Sequence, residues 1–177
     1  MKKAIILEGW FNSPGDEWYP WLGKELENKG YKVSIPDLPT MNTKLPDMQK
    51  QIKFVEKNFK IDESTIIVGH SLGAVLALRL AEKYKYKKMF LIAGWDFDDL
   101  TAEHKLFWKT KINHAKIKKN VRKIYVFSSD GDPYTTAITA EGMSKRLDGN
   151  FVLIKGAGHF SEKCGDITKI PKILKCV

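Results

Sequence analysis

Six short apolar runs punctuate the chain: residues 4–7 (AIIL), 32–35 (KVSI), 65–69 (TIIVG), 89–94 (MFLIAG), 123–129 (KIYVFSS) and 150–155 (NFVLIK). Most are continuously apolar rather than alternating, the pattern of strands covered on both faces, as in a parallel sheet. Segments of helical character separate them. Residues 17–30 end at Gly30, a C-terminal cap residue. Within 45–59, Met48, Ile52, Val55 and Phe59 recur at helical spacing. Residues 71–84 are apolar nearly all round until Glu82, which predicts deep packing. Residues 136–149 are amphipathic and end in Gly149, and a last helix follows His159, started or broken at Pro171. Residues 95–120 exceed a standard crossover. They open with Asp96, Asp98 and Asp99, turn basic, and predict one or two helices lying over the sheet's edge. The three acids read as a helix start. Strands alternating with helices define an α/β fold: an about six-stranded parallel sheet with helices on both faces, in a single domain over 1–177.

Composition narrows the class. The chain has 177 residues, 43% of them hydrophobic, enough for one real core. No apolar run approaches the ~18 residues of a membrane span. The N-terminal apolar patch is closed by Glu8, short of the roughly 7–15 residues of a signal peptide, so a cytoplasmic location is expected. Cys164 and Cys176 have no disulfide or zinc spacing and read as free thiols; no metal is expected. The net charge is +9, and residues 104–123 hold eight Lys/Arg and no acid. With no nucleic-acid motif beside it, this stretch reads as a solvated face, against nucleic acid as a partner.

The chemistry begins at Gly69-His70-Ser71-Leu72-Gly73, between a buried strand and a buried helix. A Ser on such a turn is held exposed in a strained backbone, and the flanking glycines remove Cβ atoms that would clash there. Its hydroxyl sits at a helix N-terminus, where the N–H of Leu72 can stabilise an oxyanion. A Ser needs a base. His70 is inside the turn and should point away, and His104 and His114 read as surface residues. His159, in the turn after the last strand, lies at a strand's carboxyl end. The orienting acid is Asp130 or Asp132. Asp132 is preferred because Pro133 after it has no N–H to donate, whereas Asp130 beside Gly131 is expected to cap its own turn. The chain order is Ser71, Asp132, His159.

With "EGWFNSPGDEWYPWL", "GHSLG", "SDGDPY" and "GAGHF" in that order, the whole chain resembles the α/β-hydrolase superfamily. It is most similar to the small, lid-poor serine hydrolases of the retinoblastoma-binding-protein-9 and YdeN type. The resemblance implies a first strand in the place of the third strand of larger relatives. It also implies hydrolysis of a small-molecule ester or amide substrate without a cofactor. Where many relatives carry His-Gly, this chain has Glu8-Gly9. A second oxyanion N–H is then expected from Trp10, with Phe11 as the fallback. Phe11, Trp95 and Phe97 are candidates to line an acyl pocket. A hydrolase fold that only holds a protein partner, with little turnover, is the rival reading.

Overall fold

A computed structural model describes residues 1–165 and 167–177. Among the described residues six strands form one wholly parallel sheet: β1 (Lys2–Leu7), β2 (Tyr31–Ser34), β3 (Thr65–His70), β4 (Tyr86–Ile92), β5 (Val121–Ser129) and β6 (Asn150–Ile154). Their order is β2-β1-β3-β4-β5-β6. The chain steps outward from β1 to β2, then back past β1 to β3. In open parallel sheets such a reversal leaves a crevice beyond the strands' carboxyl ends. Here that crevice lies between β1 and β3, whose last register pair is Leu7 with Gly69.

The helices are α1 (Tyr19–Asn28), α2 (Met48–Asn58), α3 (Leu72–Ala81), α4 (His114–Asn120), α5 (Ala137–Arg146) and α6 (Pro171–Leu174). Several begin where local chemistry starts a helix. Asp47 accepts from the Gln49 and Lys50 amides ahead of α2, and Thr136 accepts from Thr139 ahead of α5. Successive strand residues face opposite layers. Ile5, Leu7, Ile67, Met89, Leu91 and Val126 pack with helices α2 to α5. Ala4, Ile6, Ile66, Val68, Phe90 and Phe127 pack with α1 and α6. Every residue of α3 is buried, so the chain after β3 is rigidly seated.

The crossover between β4 and β5 departs from expectation. It does not lie over an edge: Phe107, Ile112 and Ile117 are buried in the core that α3 shares. The buried Arg79 of α3 reaches it, donating to the carbonyl oxygens of Phe107 and Thr110. No helix starts at Asp98 or Asp99. Their carboxylates accept from the Leu100 and Thr101 amides in tight turns, and the first regular structure after them is a 3-10 turn at Lys105–Phe107.

Candidate active site

Ser71 has φ 52° and ψ −118°, a conformation that costs an L-residue about 1–3 kcal/mol. Packing enforces it. A Cβ at position 69 would lie 2.4 Å from the Gly73 carbonyl oxygen, and one at 73 would lie 2.4 Å from the carbonyl oxygens of Leu7 and Glu8. Only glycine at both positions lets the turn close against α3 and β1. The Ser71 amide donates to the Ile92 carbonyl at 2.8 Å, tying the turn to the end of β4. Leu72 opens α3, so its N–H has no partner within the helix.

His159 sits on the loop after β6, its amide donating to the Cys164 carbonyl at 2.9 Å. Its Nε2 is 2.9 Å from Ser71 Oγ, and its Nδ1 is 3.0 and 2.9 Å from the two carboxylate oxygens of Asp132. The Asp132 side chain is wholly buried and that of His159 nearly so. Burial alone would raise the Asp132 carboxyl. Hydrogen bonds and charge from His159, with the Thr135 and Tyr134 amides, hold it below the usual carboxylate range. An ionised acceptor fixes Nδ1–H on His159 and leaves Nε2 free to accept from the Ser71 hydroxyl.

The two turn acids exchange the side duties expected of them. Asp132 does cap its own turn, accepting from the Tyr134 and Thr135 amides at 2.8 and 3.0 Å, and its lone pairs still reach His159. Asp130 does not: it accepts from the Gly156 amide at 2.7 Å, bracing the loop that carries His159. The ring of Tyr134 meets His159 edge-on at 4.8 Å while remaining largely exposed.

Gly9 packs against the elbow; a Cβ there would lie 3.3 Å from Ser71 Cβ. The Trp10 amide has no hydrogen-bond partner among the described residues, whereas the Phe11 amide is spent on the Met41 carbonyl at 3.2 Å. The Trp10 indole donates to the Thr43 carbonyl and stacks on Phe11 at 4.7 Å. Glu8 is fully buried. It accepts from the Leu38 amide at 2.8 Å, and burial pushes its carboxyl up to about 8, so it carries a proton at neutral pH.

The remaining aromatic candidates separate. Phe11 is half-exposed beside Trp10. Trp95 is buried in the α3-side core against Trp108 and His104. Phe97 lines a groove of about 680 Å³ with Asp96, Trp108 and Arg146, a groove lined by none of Ser71, Asp132 or His159. The crossover histidines are not free surface residues. His104 is buried against Trp10 with Nδ1 on Asp99, and His114 bonds Asp96, which also holds Arg146 through both oxygens. The acids of 96–99 supply partners that a basic stretch read alone does not show.

His70, fully buried, does point away from Ser71, as strand alternation requires at the residue before it. Burial, with the nearby His159, lowers its pKa to about 3, so it is neutral.

The serine hydrolase family matches this chain over residues 4–176. The serine hydrolase RBBP9 of Rattus norvegicus is 30% identical over 165 residues, 89% of this chain and 87% of the relative. The YdeN protein of Bacillus subtilis (strain 168) is 25% identical over 176 residues, 96% of this chain and 91% of its own. The crystal structure of the B. subtilis ydeN gene product superposes with a TM-score of 0.86 at 22% identity, covering 99% of this chain and 96% of that one. No helix among the described residues is long and apolar enough to cross a membrane. The fold is that of the α/β hydrolases, and the chain belongs to the serine hydrolase family.

Proposed function

We propose that this hydrolase cleaves carboxyl esters, or amides, of small or short acyl groups through an acyl-enzyme on Ser71. Ser71 Oγ attacks the acyl carbonyl carbon as its proton passes to His159 Nε2. Asp132 holds the imidazole tautomer and stabilises the imidazolium. The oxyanion accepts from the N–H groups of Leu72 and Trp10. His159 then gives its proton to the departing alcohol or amine. Water repeats the sequence, transferring a proton to His159 and its oxygen to the acyl carbon, and Ser71 regains its hydrogen as the acid leaves.

The observation that carries this reading is the unbroken line from Ser71 Oγ through His159 to the buried Asp132, with bonds of 2.9 and 2.9–3.0 Å, at a serine strained to φ 52°. Support for a short acyl group is the seat of the crossover: Arg79 and Phe107 draw it onto α3, leaving Phe11 and Tyr134 as an open apolar rim. A fluorophosphonate probe should label wild-type protein on Ser71, and Ser71→Ala should remove labelling and lower turnover by more than about 10⁴-fold. Folded protein that neither labels nor turns over p-nitrophenyl acetate would defeat the reading. Activity rising steadily along an ester series to C12 would defeat its short-acyl part.

A further inference from the structure

Three consecutive residues entering α1, none of which has a role in the proposed chemistry, reach the loop after β1, the elbow and the loop after β6. Glu17 accepts from the Asn12 side-chain amide at 2.9 Å and from the Glu162 amide at 2.7 Å, joining the loop after β1 to the loop after β6. The Trp18 indole donates to the Phe160 carbonyl at 2.9 Å, beside His159. The Tyr19 hydroxyl lies 3.0 Å from the Gly9 amide and 2.6 Å from His70 Nδ1, and His70 Nε2 lies 2.8 Å from the His159 carbonyl.

The last chain has one consistent direction. The Gly9 N–H only donates, so Tyr19 oxygen accepts. The His159 carbonyl only accepts, so His70 carries its hydrogen on Nε2. That leaves His70 Nδ1 to accept from the Tyr19 hydroxyl. One line of three hydrogen bonds therefore runs from the Glu8–Gly9 peptide, one residue ahead of the Trp10 N–H, under the elbow, to the backbone of His159 itself. Tyr19 and His70 are buried, and a buried polar chain of this kind is rigid when complete and costly when broken. Glu17 holds φ 54°, a left-handed backbone, while making its two bridges.

We propose that Glu17, Trp18, Tyr19 and His70 form a clamp of positioning residues that sets the Trp10 N–H and His159 at their working distance from Ser71. The proposal rests on the hydrolase reading above. Apolar packing of Leu22 and Leu26 already seats α1 against its sheet face, yet the polar contacts of 17–19 go to the elbow and to the loops after β1 and β6. Registration of a donor and a base to within a fraction of an ångström is worth orders of magnitude in rate.

The test is Tyr19→Phe, which keeps the buried ring and deletes the oxygen shared by Gly9 and His70. We expect kcat per phosphonate-titrated site to fall by about 10–100-fold with KM changed less than about threefold, since a donor aimed at the transition state is displaced. Glu17→Ala, which breaks the bridge between Asn12 and Glu162, should act in the same direction, and it serves alone if Tyr19→Phe fails to fold. Nitrogen-15 NMR of wild-type His70 should show a neutral ring with hydrogen on Nε2 across about pH 5–9, and the Nδ1 signal should move in Tyr19→Phe. The proposal is overturned if kcat per titrated site stays within about twofold in the folded variants, or if His70 carries its hydrogen on Nδ1. The NMR arm needs no substrate. A wild type that fails to label with phosphonate while His70 shows the Nε2–H form would count against the hydrolase reading and leave the clamp's geometry standing.

Discussion

At the carboxyl ends of the strands, left-handed backbone falls on Phe11, Glu17, Thr40, Ser71, Ala93, Leu100 and Phe160, residues for which it is costly. At the amino ends the described non-glycine example is Asp148, in the turn before β6, a residue type that tolerates it. Charge divides the same way. Lys85, Lys87, Lys88, Lys119, Arg122 and Lys123 gather where β4 and β5 begin, with Lys88 paired to Lys123 in register. Two carboxyls, one at each end, respond in opposite senses, although at the carboxyl end Asp132, despite its burial, is held low too, by His159. Glu8, at the end of β1, is pushed up by burial, while Asp62, at the entry to β3, is held below the usual range chiefly by a hydrogen bond from Lys3. The sheet thus stores strain and desolvated polar groups at one end and keeps ordinary solvated turns at the other. Strain survives only where the surroundings over-determine it, and here those surroundings are α3, the elbow glycines and the clamp.

The sharpest probe of this contrast is Asp132→Asn. The amide keeps the shape but offers no ionised acceptor, so the imidazole loses its tautomer and kcat should fall by about 10³–10⁴. A native melting transition in the purified variant would show that the loss is chemical. Should Asp130→Asn prove the more damaging, the acid has been misassigned.

Glu8 tests the desolvated end through stability. Its carboxyl rises from an ordinary 4.5 to about 8 in the folded chain. Between those values the unfolded chain releases a proton that the native state keeps, so stability falls as pH rises through this window and levels off above it. At about 1.4 kcal/mol per pH unit the full fall is on the order of 5 kcal/mol. Denaturant titrations from about pH 4.5 to 8.5 should show Glu8→Gln lacking that slope. Parallel profiles for the two proteins would mean Glu8 is ionised in the fold.

Asp130→Asn should matter less, because it weakens one brace on the loop of His159 while the Asp132 bond persists. A loss of at most about tenfold in kcat, roughly 1.4 kcal/mol, is expected from steady-state kinetics. The smallest effect belongs to the amino end. Replacing Lys116, Lys118 and Lys119 with Gln should leave ester turnover within about threefold, exposed charges far from a reaction being screened over about 8–10 Å. A larger loss would erase the division between the two ends.

What the sequence by itself determined was contiguous. Continuous apolar runs specify strands buried on both faces, and helical spacing specifies what lies between them. Glycines two residues to either side of Ser71 specify a turn whose geometry is enforced within a few residues and against β1. The place of His159, in the loop beyond the carboxyl end of β6, was legible in the same way. The tertiary structure alone decided which loops meet. Trp18 bonds Phe160 across 142 residues, Glu17 reaches Glu162 across 145, and Tyr19 meets His70 across 51. Nothing local marks those three residues as more than a helix start. Asp130 turned from its own turn to Gly156 because β5 and β6 are neighbours, and the crossover settled on α3 rather than at an edge because a buried Arg79 needed its carbonyls. Local pattern encodes what a segment must bury. The partners of its polar groups depend on a strand order that becomes physical only when the sheet closes.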